Sequence, residues 1–262
     1  MAALEMKTRS NPGARMAQSP RPLALLLALA AAGLAQAGTA GAPVVVRAPL
    51  AARAAANPGA EAARSADSER WRGESLADLA TRWSRWLTSI PLGMQPLGAD
   101  DSGAPCGINQ EGPVWFLTAP LLPTYNRACT VPAGKAIAMP LFSYINDYPC
   151  PDSSFQPAPG QSLEAFLGDF AALLVDATSL KSASLDSRSP PVRRVSTKVF
   201  GFTGAASLQA LDACITGSPQ LGLMDGWWVL IDPLSPGLHV LSVRVNNDFT
   251  GSTQGTFTIT VK

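Results

Sequence analysis

Residues 106–141, CGINQEGPVWFLTAPLLPTYNRACTVPAGKAIAMPL, decide the fold. Two short apolar runs, Pro113–Ala119 within this stretch and Ala136–Phe142 at its end, are separated by proline, asparagine and glycine. Runs of this length that are rich in Val, Ile, Trp and Phe and bounded by Pro and Gly are typical of buried strands. A cysteine precedes each run, at Cys106 and Cys129. We interpret this stretch as the nucleus of a β domain.

The rest of the chain continues this pattern towards the C-terminus. In Gly255–Val261, apolar residues alternate with threonines, which predicts a half-buried strand. Turn signals such as Pro233–Gly237 separate this segment and its neighbours. The predicted strands are Ser179–Leu185, Val192–Thr203, Gly226–Asp232, Leu238–Asn246 and Gly255–Val261.

Helical spacing of apolar residues occurs in two segments. Ser75–Ser89 places Leu and Trp on one face, and Ser75 with Asp78 resembles a capping box. Gln161–Val175 repeats Leu and Phe with helical period, and Ala205–Cys214 predicts a short helix. The fold class that follows is a mainly β protein. We expect a β-sandwich, immunoglobulin-like or jelly-roll-like, with one or two peripheral helices.

Residues 1–37 have the organisation of a secretory signal peptide. Arg15 and Arg21 precede an apolar run from Leu23 to Leu34, and Ala35-Gln36-Ala37 supplies the cleavage site. A membrane-spanning helix needs about 20 apolar residues, and this run is shorter. The segment therefore predicts export to the periplasm or the extracellular space, with no stable membrane span after cleavage.

The mature chain divides into an arm and one domain. Residues 38–68 are rich in Ala, Pro, Gly and Arg and carry few large apolar side chains, which is typical of a disordered linker. Residues 69–262 are predicted to form a single β-rich domain that begins with the helix at 75–89. The net charge of +1 argues against nucleic-acid binding, which requires a clustered basic face.

All four cysteines lie in the predicted mature chain. An even number in an exported protein indicates two disulfides, and the sequence allows three pairings. We favour Cys106–Cys129 with Cys150–Cys214, because this closes one local loop and one long loop. A metal site is a weaker interpretation, since the chain has no C-x-x-C pair and one histidine.

Two resemblances add to this interpretation. Residues 233–261, PLSPGLHVLSVRVNNDFTGSTQGTFTITV, resemble the closing strands of bacterial immunoglobulin-like modules, which implies a sandwich. Residues 83–245 are similar to an uncharacterised family of exported bacterial β-rich proteins. The similarity is carried by Cys106 and the motifs Q-x-G-P-V-W-F-L at 110–117, R-x-C-T-V-P-A-G-K at 127–135 and D-G-x-W-V at 225–229. It implies no catalytic residue, cofactor or substrate.

Residues that could perform chemistry are few. His239 is the only histidine, and in a predicted strand without a partner nucleophile we interpret it as structural. Paired carboxylates could serve glycoside hydrolysis or bind calcium, although no D-x-D-x-D-G loop occurs. The acidic candidates are Asp100, Asp101, Asp147, Asp152, Asp225 and Asp232.

Three aromatic residues are candidates for stacking on a ligand. Trp227 and Trp228 are adjacent in a predicted strand, so their side chains face opposite sides of the sheet. We expect one of them in the core. The other, taken as Trp228, would be exposed beside Tyr144 and Tyr148 and would stack on a sugar ring.

These observations lead to two hypotheses of function. The first is an exported, non-enzymatic β-sandwich with a binding or envelope-structural role, no cofactor, and a glycan or another envelope protein as partner. The alternative is a carboxylate-dependent hydrolase acting on an extracellular glycan. The two differ in whether two of the candidate aspartates converge in a cleft beside an exposed tryptophan.

Overall fold

The computed structural model describes residues 70–98 and 102–262. The predicted signal peptide and linker, together with Asp100 and Asp101, lie outside the described residues. Two α-helices are described: α1 is Leu76–Ser89 and α2 is Leu163–Asp176. The strands are β1 Arg70–Trp71, β2 Glu74–Ser75, β3 Val114–Phe116, β4 Thr124–Val131, β5 Ala136–Tyr148, β6 Thr178–Leu185, β7 Arg193–Ser196, β8 Phe200–Thr203, β9 Pro219–Ile231, β10 Gly237–Asn247 and β11 Gly251–Val261.

Nine of these strands form two sheets. The four-stranded sheet has the order β4-β11-β10-β6, and the five-stranded sheet has the order β3-β5-β9-β7 with β8 also paired to β9. Most pairs are antiparallel, but β4 runs parallel to β11 and β3 runs parallel to β5. The described chain is therefore mainly β and forms a β-sandwich, which confirms the predicted fold class.

The core between the sheets is built from alternating inward positions. Phe257 and Ile259 of β11, Leu241 of β10, and Met139 and Val229 of the other sheet are completely buried there. On β11 the intervening threonines face away from this core, as the half-buried pattern predicted. Burial of this apolar surface is the main stabilising contribution to such a sandwich.

Helix α1 covers the second face of the five-stranded sheet. Its apolar stripe includes Leu76, Leu79 and Trp83, which pack against strand residues such as Met224 and Trp228. Ser75 Oγ accepts from the Asp78 amide at 3.1 Å, and the Asp78 carboxylate accepts from the Ser75 amide at 3.2 Å. This reciprocal capping box fixes the start of the helix and confirms the helix predicted at residues 75–89.

Helix α2 packs against β5 and β9 of the five-stranded sheet, next to the four-stranded sheet. Its N-cap is Ser162, whose Oγ accepts from the Ala165 amide at 3.1 Å. Leu167, Ala171 and Val175 form its buried stripe. The segment predicted as a short helix at 205–214 contains a 3₁₀ helix, Ala206–Ala210.

Several predicted strand boundaries were wrong. The structure contains β4, which was not predicted, and β9 begins at Pro219 rather than at Gly226. The segment predicted as one strand at 192–203 is divided into β7 and β8. Between them the Thr197 amide donates to the Met224 carbonyl at 2.9 Å, and Thr197 Oγ1 accepts from the Met224 amide at 3.0 Å.

A bulge lets β5 continue through Pro140. The pairing of β5 with β9 shifts register between Pro140 and Phe142, where the missing proline N–H is tolerated. Gly226 pairs with Ser143, next to this bulge. A Cβ atom there would lie 2.6 Å from Ser143 Cβ and 2.7 Å from the Phe142 carbonyl oxygen, so only glycine allows this approach.

Two disulfides connect the sheets to the adjacent loops. Cys106 is bonded to Cys129 on β4, and Cys150, just after β5, is bonded to Cys214, just before β9. This is the favoured pairing of the three that the sequence allowed, and it is confirmed.

Candidate functional site

A cleft opens where the chain crosses from one sheet to the other. After β3, the Leu117 amide donates to the Ala138 carbonyl at 3.1 Å, and the chain then leaves the edge of β5. The crossing segment 118–123 reads TAPLLP. Pro120 and Pro123 carry no backbone donor, so this segment cannot extend the ladder of β3. The divergence leaves a space between the crossing segment and β5.

The cleft has a volume of about 230 Å³ and an uncharged, mostly apolar lining. Side chains from α1, the crossing segment, β5 and the β10–β11 hairpin form its walls. The lining residues are Trp83, Leu87, Leu97, Thr118, Ala119, Pro120, Leu121, Leu122, Pro123, Pro140, Leu141, Phe142, Ser143, Tyr144, Ile145, Val245, Thr250, Ser252 and Thr253.

One wall of the cleft is a sheet edge. Strand β3 pairs with β5 only at Ala136–Ala138, and β9 occupies the opposite side of β5. Over residues 140–145, that edge has no strand partner within the described part of the chain. In an antiparallel pair, alternate residues direct their N–H and C=O groups away from the partner. The cleft therefore presents main-chain hydrogen-bonding groups beside apolar side chains.

Fixed contacts hold the cleft wall near α1 in place. Trp83 Nε1 donates to the Leu117 carbonyl at 3.0 Å, and its ring meets Trp228 edge to face with centroids 5.3 Å apart. The wall near α1 is therefore preorganised. Phe249 precedes the lining residue Thr250 in the chain, and its side chain is 59% exposed.

The predicted stacking residues do not form one platform. Trp228 is 0% exposed, because its face of β9 is covered by α1, so the expectation of an exposed Trp228 was wrong. Trp227 is the partly exposed member of the pair. Tyr144 lines the cleft, whereas Tyr148 donates from its hydroxyl to Gln156 Oε1 at 2.7 Å and packs against Phe166.

The candidate aspartates within the described residues lie apart. Asp225 is buried in an ion pair with Arg194, and Asp232 is exposed. Asp152 accepts from Ser154 at the surface. None of these carboxylates lines the cleft. The arrangement that the hydrolase hypothesis required, two candidate aspartates beside an exposed tryptophan, does not occur among the described residues.

Asp147 instead lies close to Asp212, which was not among the predicted acidic candidates. Carboxylate oxygens of the two residues lie within 4.8 Å of each other and of the disulfide sulfur of Cys214. Burial and the charge of Asp212 raise the pKa of Asp147 to about 8, against a hydrogen bond from Gln220 that lowers it. Burial also raises the pKa of Asp212. We name Asp147, Asp212 and Gln220 the acidic cluster.

The cysteine spacing contained a signal for this cluster. Asp147 lies three residues before Cys150, and Asp212 lies two residues before Cys214. Once these cysteines are paired, the bridge brings both aspartates to the same place. The signal becomes visible only after the long-range pairing has been chosen.

His239 forms a structural contact with the hairpin turn after β6. Asp186 and Ser187 both have positive φ, at 47° and 69°, as a type I′ turn requires. His239 Nδ1 lies 2.6 Å from Asp186 Oδ2, and Nε2 lies 2.8 Å from the Ser235 carbonyl oxygen. The hydrogen bond to Asp186 is the main cause of a raised His239 pKa, and the same bond lowers the pKa of Asp186.

This pair predicts a pH-dependent contribution to stability. The stability that His239 contributes is fully present below the ordinary histidine pKa of 6.5. It is lost as the pH rises through the raised pKa of His239 in the folded state. The Asp186 contribution is present above its ordinary pKa of 3.8 and is lost as the pH falls through its lowered pKa. We expect the Tm difference between wild type and H239Q to be largest between pH 3.8 and pH 6.5 and to decrease at alkaline pH. A constant difference across a pH series of thermal melts would contradict this assignment.

In comparisons with known proteins, no family model, curated protein or solved structure matches the chain. In the part of the chain that the structure describes, we find no helix with the length and hydropathy needed to cross a membrane.

Proposed function

We propose that this protein is an exported, non-enzymatic β-sandwich that binds an extended, uncharged and mostly apolar segment of a partner polypeptide in the cleft. The observation that carries the proposal is the coincidence of an apolar lining with the uncovered edge of β5. The signal-peptide pattern at residues 1–37 and the two disulfides support the exported part of the proposal.

The chemistry of the lining favours a polypeptide partner. An extended peptide added to a sheet edge gains main-chain hydrogen bonds, and side-chain pockets select its sequence. The cleft supplies both, since Leu121, Phe142 and Ile145 are apolar and residues 140–145 form the edge. The hydroxyls of Ser143 and Thr253 can bond a neutral partner, and a charged side chain would be desolvated without an opposite charge in the lining.

A selection experiment on the oxidised protein tests this proposal. We would pan a random displayed decapeptide library in parallel with a neutral glycan array. Thr253→Trp places a bulky side chain in the lining of the cleft. Thr258→Trp places the same side chain on the same strand, at a position that faces away from the core. We expect enrichment of uncharged peptides rich in β-branched residues, with binding at least tenfold weaker for T253W and unchanged for T258W.

Three outcomes would overturn the proposal. They are the absence of peptide enrichment, equal binding of the enriched peptides by T253W and wild type, and selective binding of a glycan in place of peptides. The last outcome would support a sugar-binding role with Tyr144 as the aromatic residue in the cleft.

A further inference from the structure

The acidic cluster contains more acceptors than donors. Gln220 Nε2 donates to Asp147 Oδ2 at 2.8 Å, to the Pro149 carbonyl at 3.0 Å and to the Cys214 carbonyl at 2.6 Å. The Cys214 amide donates to Asp212 Oδ1 at 2.9 Å. One amide NH₂ therefore faces three acceptors with two hydrogens. A cation placed among these oxygen atoms would offset the surplus.

A second observation is independent of the carboxylates. Gln220 is 4% exposed, and its Oε1 atom is buried without a hydrogen-bond partner. A buried, unsatisfied amide oxygen costs free energy that a folded protein normally recovers through a partner. This oxygen belongs to the same amide group whose Nε2 donates to Asp147 Oδ2 at 2.8 Å, so it is adjacent to the carboxylates.

We propose that the acidic cluster binds a calcium ion through the carboxylates of Asp147 and Asp212 and through Gln220 Oε1. The carbonyl oxygens of Pro149 and Cys214 lie beside them and can complete an all-oxygen shell. Calcium takes six to eight such ligands in flexible geometry. Zinc and copper prefer histidine or thiolate, and the Cys214 sulfur is already bonded to Cys150.

The ligands come from two segments that the Cys150–Cys214 bridge joins. Asp147 is the penultimate residue of strand β5. Asp212 belongs to the loop before β9, and Gln220 lies on β9. The ion would therefore connect β5, β9 and the loop in the same place as the disulfide. Discontinuous ligands also explain why no D-x-D-x-D-G loop marks the site in the sequence.

Calorimetric titration of the EDTA-treated, oxidised protein with CaCl₂ tests the proposal, with MgCl₂ titrated in parallel. We expect one calcium per chain with a Kd of roughly 10⁻⁴–10⁻³ M, the range of extracellular modules. Magnesium should bind more weakly, because it demands near-octahedral geometry. Calcium should also raise the Tm of the wild-type protein by mass action.

Matched substitutions locate the site. Asp147→Asn and Asp212→Asn keep the side-chain shape and should each weaken calcium binding at least tenfold. Asp152→Asn changes a partly exposed aspartate close to Cys150 in the chain, whose carboxylate accepts from Ser154, and should leave the affinity unchanged. Circular dichroism checks that each variant is folded. The absence of calcium binding by the wild type, retained affinity in both cluster variants, or loss of affinity in D152N would overturn the proposal.

Discussion

Replacing Arg194 with alanine should lower the free energy of unfolding by about 3–5 kcal/mol, as expected when one partner of a buried ion pair is removed. Arg194 Nη2 donates to Asp225 Oδ2 at 2.7 Å and Nε donates to Oδ1 at 3.1 Å. A third bond joins Arg194 to Asp176 at the end of α2. Asp225 is 2% exposed, and burial raises its pKa although Arg194 opposes the effect.

The cost arises because the variant leaves the Asp225 carboxylate buried without its partner. Guanidinium unfolding measures the change, with Arg244→Ala as control because Arg244 is exposed on β10. The double variant R194M/D225L removes both charges and should be more stable than R194A. Equal stability of R194A and R244A would contradict the assignment of a buried ion pair.

Removing the Cys150–Cys214 disulfide should cost about 4 kcal/mol of stability by the chain-entropy relation for a closed loop. The bridged residues are 64 positions apart, whereas Cys106 and Cys129 are 23 positions apart. The same relation gives about 3.5 kcal/mol for the shorter loop. The larger effect belongs to the longer loop because its closure restricts the unfolded chain more.

Denaturant unfolding of the two double-alanine variants tests this order. C106A/C129A serves as the matched control, since it removes the same kind of bond from a shorter loop. A smaller loss in C150A/C214A than in C106A/C129A would contradict the argument.

The sequence predicted the features that local chemistry determines. Helix α1 followed from its apolar stripe and from Ser75 with Asp78, and the structure contains both the helix and the capping box. The sandwich followed from short apolar runs and turn signals. The disulfides followed from loop lengths once export was assumed.

Strand β4 was missed because its inward positions include a charge. Tyr125, Arg127, Cys129 and Val131 are its buried residues. Arg127 donates to the carbonyls of Pro96 and Gly98 at 2.6 and 2.8 Å, so it is buried with hydrogen bonds. A period-2 pattern interrupted by an inward arginine does not read as an apolar alternation.

The candidate cleft depends on tertiary relations that no local pattern records. Its existence requires that the chain leave β5 after Leu117 and that the β10–β11 hairpin end nearby. The prediction for Trp228 failed for the same reason. The sequence showed that Trp227 and Trp228 face opposite sides, but the choice of the buried one depends on which face α1 covers.

The most direct test of the account is amide hydrogen exchange of the oxidised protein with and without an enriched decapeptide from the library. If the peptide adds to the free edge of β5, exchange of amides within residues 141–145 should slow at least tenfold. Exchange of the outward-facing β11 residues Thr256 and Thr258 should not change. Unchanged exchange at 141–145, or protection confined to the outer face of the four-stranded sheet, would contradict the proposed binding cleft.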